Sequence, residues 1–107
     1  MSSAERAAEN ESTFRDVNEN LEKRADELEL ANGRTPYLCE CHDESCTRVV
    51  LLARDEYEDV RAAPRTFVVT PGHQGPDDLV VREEEGYVVV EKTGEQATLV
   101  EQRDPRG

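Results

Sequence analysis

The stretch YLCECHDESC, residues 37–46, holds all three cysteines of this 107-residue chain. Thiols at Cys39, Cys41 and Cys46, spaced C-x-C-x4-C, constrain what the chain can fold into more than any other feature. An odd number of cysteines cannot all pair within one chain. Glu40, Asp43 and Glu44 lie between them and make the segment too polar to read as core. A metal ion fits best. Zinc takes tetrahedral thiolate and imidazole ligands, and its structural sites close with four protein groups. Ligands this close in sequence also cost little chain entropy to gather. The C-x-C pair is expected to need a bent backbone to aim both sulfurs inward. A Cys39–Cys46 or Cys41–Cys46 disulfide, formed on oxidation with release of zinc, is the competing state.

The fourth ligand has several candidates. His42 follows Cys41 directly, so its side chain starts in a different direction. His73 stands 27 residues after Cys46 in TPGHQG, a Pro-Gly turn. Asp43, Glu44 or a water could also close the site. If strands at 47–52 and 66–70 paired in parallel, His73 would sit far from Cys46. An antiparallel or offset arrangement would bring the two together.

Composition strengthens the case for a staple. Hydrophobic residues make up 36% of the chain, below the usual share of about 45–50%. A domain this small buries a thin core and commonly leans on a metal, a disulfide or a partner. The net charge is −12, from 25 acids and 13 bases spread along the whole chain. That field repels phosphate backbones, so neither nucleic acid nor an anionic membrane surface is expected as a partner. A basic protein surface or a cation suits it better. No apolar run approaches a membrane span, and no hydrophobic stretch of a signal peptide follows Met1. The chain is therefore expected in the cytoplasm, where thiols stay reduced.

Periodicity suggests an α+β domain over 13–103, with a frayed segment at 1–12 and a polar tail at 104–107. The first helix is expected from Thr13, as N-cap with Asp16 three residues on, to the Asn32-Gly33-Arg34 turn. Its apolar face is Phe14, Val17, Leu21, Ala25, Leu28 and Ala31, with Arg15, Asp16, Glu19, Glu22, Lys23, Asp26 and Glu29 on the other side. TRVVLL at 47–52 reads as a buried strand, 53–63 as a helix with Tyr57 and Val60 inward, and TFVVT at 66–70 as a strand. The β-α-β piece over 47–70 suggests a parallel crossover. Residues 71–78 form a loop, and 79–92 a hairpin turning near Gly86. Thr93 and Gln96 then open a short helix. The expected architecture is an amphipathic helix followed by a sheet of about four strands, one or two short helices and a zinc-stapled turn.

The segment TPYLCECHDESCTRVVLLARDEYEDVRAAPRTFVVTPGH, followed by GYVVVEKTGEQA, resembles a group of small uncharacterised actinobacterial proteins. In these a CEC…C turn precedes an EYE-x-VR helix and a PGH loop, and the likeness spans residues 14–106. The resemblance implies Cys39, Cys41, Cys46 and His73 as the recurring ligand set, with Gly common where His42 stands here. It carries no activity.

Zinc with four protein ligands leaves no open position for catalysis. The chain also lacks nucleophile-elbow, zinc-protease and phosphate-cradling motifs and the zinc-deaminase signature. The expected function is a non-enzymatic zinc-binding protein, a protein-interaction or regulatory module. Its partner would be a protein that binds the Phe14, Val17, Leu21, Leu28 face or the acidic surface. The alternatives are a thiol redox sensor that releases metal on oxidation, and a small metalloenzyme.

Overall fold

The computed structural model describes residues 3–30 and 32–106. Its elements run α1 (Ser3–Lys23), α2 (Ala25–Leu28), β1 (Thr35–Leu38), β2 (Val49–Leu52), α3 (Arg54–Arg61), β3 (Thr66–Val69), β4 (Leu79–Glu84), β5 (Tyr87–Glu91) and α4 (Gly94–Gln102). The class is α+β. The strands divide into two sheets, however, where one sheet of about four strands was expected. β1 and β2 form an antiparallel hairpin, and β3, β5 and β4, in that order, form an antiparallel sheet. The parallel crossover over 47–70 does not form, because β2 turns back on β1 and not toward β3. The sequence does not announce β1, since Pro36 reads as a break. Proline is tolerated here because the pair has only two strands, both of them edges.

β3 and β5 are apolar on both faces, as strands covered on both sides are. Phe67, Val69, Val88 and Val90 pack with Ala8 of α1, Val100 of α4 and the cysteines Cys39 and Cys41. Val68, Tyr87 and Val89 pack with Tyr37, Val50 and Leu52 of the hairpin and with Tyr57 and Val60 of α3. The rings of Tyr37 and Tyr57 stack 4.4 Å apart. One sheet thus separates two thin cores, and two of the cysteines belong to the first.

The first helix departs most from expectation. α1 includes residues 3–12, which the sequence assigns to a frayed end, and Ala8, Glu11 and Ser12 are buried. Thr13 caps nothing; its hydroxyl donates to Glu9 O inside the helix. The helix breaks at Arg24 and resumes as α2 well before the turn at Gly33, whose φ is +79°. Of the face expected inward, only Ala25 is buried. Phe14, Leu21 and Leu28 are partly covered, Val17 is 41% exposed, and Ala31 lies outside the described residues.

The buried stripe of α1 is Ala8, Glu11, Ser12, Arg15, Asn18 and Glu22. It has helical spacing but is mostly polar. The reason is pairing across the fold, since buried charges persist only where they find partners. Glu11 accepts from Lys92 Nζ at 2.6 Å and from Gln96 Nε2 at 2.5 Å, and Lys92 also reaches Asp78 at 2.9 Å. Burial pushes the Glu11 carboxyl above its usual range, against the pull of Lys92. Arg15 donates to Pro64 O at 2.8 Å and to Thr66 O, with its guanidinium 3.4 Å from the centre of the Phe67 ring. Glu22 accepts from Arg54 at 2.6 Å.

Two smaller expectations change for the same reason. Thr93 precedes α4 in an extended conformation, as an N-cap would, but its hydroxyl donates to Asp77 O while Gln96 turns to Glu11. The stretch expected as a tail is tied down. Asp104 accepts from buried Arg61 at 2.5 Å, and Arg106 donates to Glu58 at 2.8 and 3.0 Å and to Glu19 at 2.8 Å. Arg106→Ala is expected to lower stability by about 1 kcal/mol, the upper range for a partly exposed pair. The measurement is the urea midpoint at unchanged slope, and the loss should shrink in high salt. Among the described residues no helix is long and apolar enough to cross a membrane.

Candidate metal centre

The hairpin supplies three of the candidate ligands. β1 runs into its loop, and the Cys39 N–H donates to Arg48 O at 3.0 Å, closing the hairpin beneath the loop. Beyond that bond the side chains alternate. Cys39 and Cys41 enter the core around Phe67 and Val69, while Glu40 faces the opposite side, toward Tyr57. Residues 39–41 lie beyond the end of β1, and both sulfurs nonetheless reach the same core.

Glu40 was expected to be solvated, yet it is wholly buried. Its N–H donates to Val68 O at 2.8 Å, and its Oε1 accepts the Val68 N–H at 3.1 Å. Its Oε2 accepts from Tyr57 OH at 2.7 Å and Asn18 Nδ2 at 3.0 Å. Asn18 also brackets Leu38, donating to its carbonyl at 2.9 Å and accepting from its N–H at 2.7 Å. The residue between the two ligands thus pins the loop to β3, α1 and α3.

Cys46 enters from a tight turn in which its N–H donates to Asp43 O at 3.0 Å. The Asp43 carboxylate accepts from the Ser45 hydroxyl at 2.7 Å and N–H at 3.0 Å, and these bonds hold it below the usual carboxylate range. Asp and Ser favour such turns because their side chains bond the backbone two residues on.

His73 arrives from the other sheet. Thr70-Pro71-Gly72-His73 is a turn closed by the His73 N–H on Thr70 O at 2.9 Å, with Gly72 at φ +92°. Proline then glycine at the central positions is the pattern of a type II turn. The turn follows β3, whose end lies beside Cys39: the Thr70 N–H donates to Cys39 Sγ at 3.1 Å. This removes the topological conflict raised by the sequence, because β3 meets the loop at Cys39 and Glu40, just after β1, and does not pair with β2.

The ligand atoms of Cys39, Cys41, Cys46 and His73 all lie within 4.8 Å of one another. His73 Nδ1 is 3.7 Å from Cys39 Sγ and 3.6 Å from Cys46 Sγ. With zinc–sulfur bonds of about 2.3 Å and zinc–nitrogen bonds of about 2.0–2.1 Å, a tetrahedron has S···N edges of about 3.5–3.6 Å and S···S edges of about 3.8 Å. The two S···N edges match that geometry closely, so the four groups could hold a metal ion, with Nδ1 as the imidazole donor. His42 stays outside: it is exposed, and its carbonyl accepts from Asn10 Nδ2 at 3.0 Å. Asp43 and Glu44 are exposed as well and do not join the group.

Without a metal the sulfurs share protons. The Cys41 thiol, the Thr70 donors and the nearby His73 hold Cys39 down to about 5, while its bond to Cys39 and burial push Cys41 up. A metal ion takes the place of those protons, so binding releases them. Nothing in the sequence marks the Thr70 N–H as a sulfur partner or Glu40 as an anchor. Both depend on β3 lying beside the loop.

Gly72 adds a test of the turn. A Cβ there would meet no atom within 4 Å, so substitution acts through the backbone alone. A left-handed L-residue costs about 1–2 kcal/mol. Gly72→Ala is therefore expected to weaken metal affinity about tenfold, read by competition with a colorimetric chelator.

Compared with protein families, with curated proteins and with solved structures, the chain matches none. Its function is read from this geometry.

Proposed function

We propose that this is a small non-enzymatic protein whose Cys3His group holds a structural zinc ion, acting as a protein-interaction or regulatory module in the cytoplasm. The observation that carries the reading is the placement of His73 Nδ1 at tetrahedral edge lengths from Cys39 and Cys46. Three thiolates and an imidazole suit zinc better than the hard cations, which prefer oxygen. Four protein ligands leave no position for the water that a catalytic zinc activates. The ion would tie the hairpin loop to the turn after β3 and so fasten one sheet to the other.

The charge of −12 favours a basic protein surface as partner. The α1 face with exposed Val17, beside the partly covered Phe14 and Leu21 and with Leu28 of α2 further on, supplies apolar area for such a contact.

The deciding experiment is native mass spectrometry with elemental analysis on protein prepared without chelators. One zinc per chain is expected, kept in His42→Ala and lost or weakened in His73→Ala. Metal-free wild type, or dependence on His42, would overturn the assignment.

A further inference from the structure

The three sulfurs are not equivalent. Cys39 is buried and receives the Thr70 N–H at 3.1 Å. Cys41 is buried, with its sulfur against the Asp43 main chain, 3.9 Å from the Asp43 oxygen. Cys46 is only partly buried, its sulfur lies 3.6 Å from His73 Nδ1, and among the described residues no main-chain N–H is directed at it. A hydrogen bond to a thiolate draws off charge and lowers its reactivity, while exposure raises it. A small cleft of about 210 Å³, lined by Cys41, Asp43, Gly72 and His73, gives small reagents a way to the far side of the same group.

From this asymmetry we propose that Cys46 is the oxidation site of the metal centre and that Cys41 is its resolving thiol. The proposal rests on the metal reading above and assigns the regulation of that site. A hydroperoxide is the co-reactant. The Cys46 thiolate attacks its outer oxygen; an S–O bond forms, the O–O bond breaks, and the leaving alkoxide or hydroxide takes a proton. Cys46 becomes a sulfenic acid, and the peroxide is reduced to alcohol or water. The Cys41 thiolate then attacks the Cys46 sulfur. The S–S bond forms and the S–O bond breaks, with hydroxide leaving as water after taking a proton. Two of four ligands are consumed and the metal departs. A thiol reductant and returned metal restore the site. Cys41 resolves in preference to Cys39 because it shares the short 41–46 turn with Cys46.

The test uses the full wild-type chain, after its metal content is measured. Limited alkylation of the metal-loaded protein is followed by cleavage after Glu40 and Glu44, which separates the three thiols. Cys46 is expected to react at least about tenfold faster than Cys39. Titration with hydrogen peroxide is expected to release one metal per disulfide formed, with the link mapped to Cys41–Cys46. Equal alkylation rates, a first adduct at Cys39 or Cys41, a link that includes Cys39, or thiols inert until the metal is stripped would overturn the proposal while leaving the metal assignment standing. A chain isolated without metal would instead overturn the metal reading, and the proposal would fall with it.

Discussion

Removing the zinc proposed for the Cys3His group is expected to unfold the protein cooperatively. Structural zinc in small modules supplies about 10–16 kcal/mol of apparent binding free energy near neutral pH. The whole net stability of a domain is about 5–15 kcal/mol. The two cores here are thin, and besides Glu40 on Val68 and the Thr70 N–H on Cys39 the ion would be the main tie between the cysteine loop and the turn after β3. Without the ion, the three thiols and the histidine would face one another with only weak hydrogen bonds between them. The measurement is circular dichroism, near-ultraviolet for the packed tyrosines and far-ultraviolet for the backbone, as chelator is added and zinc returned. Both signals should collapse together and recover together. A native-like spectrum after verified removal of the metal would sink the structural role.

Glu40→Ala is expected to be the most damaging single substitution outside the candidate ligands, at about 3 kcal/mol or more, because several buried donors lose their acceptor at once. The substitution leaves Tyr57 OH, Asn18 Nδ2 and the Val68 N–H without their acceptor. Each such buried group, left unpaired, costs about 1–3 kcal/mol. Metal affinity should fall as well, because Cys39 and Cys41 flank the residue. Glu40→Gln should cost less. Its amide oxygen can still accept from Val68, but its amide nitrogen then faces two donors. Adding Tyr57→Phe removes one of those clashes, so the double variant should lose less than the sum of its parts. Chemical denaturation of the metal-loaded variants measures all of this. A loss within about 0.5 kcal/mol for Glu40→Ala would show the network to be idle.

The three cysteines were legible as candidate ligands because their spacing is local. The fourth stayed open among His42, His73, Asp43, Glu44 and a water, and the fold brings His73 to the group. The strands at 66–69 and 87–91 were legible as β-branched runs, but the run at 47–52, which reads as a buried strand, has Val49 and Leu51 of β2 exposed. The burial of α1 was not legible. Its stripe of Glu11, Arg15, Asn18 and Glu22 reads as a solvated face, because their partners Lys92, Thr66, Glu40 and Arg54 lie far off in the sequence. A hydrophobic pattern carries no signal for a polar residue satisfied at a distance.

The sequence by itself determined that three clustered thiols could bind a metal and where most of the strands and the later turns fall, since each follows from neighbouring residues and their intrinsic chemistry. Only the tertiary structure decided that His73 joins the cysteines, that Cys39 and Glu40 meet β3, that Glu40 faces inward between its two cysteines, and that Cys39 gains a main-chain hydrogen bond Cys46 lacks. Those outcomes depend on which surfaces come together, and an unpaired polar group in the chain becomes a buried anchor only when the fold brings its partner.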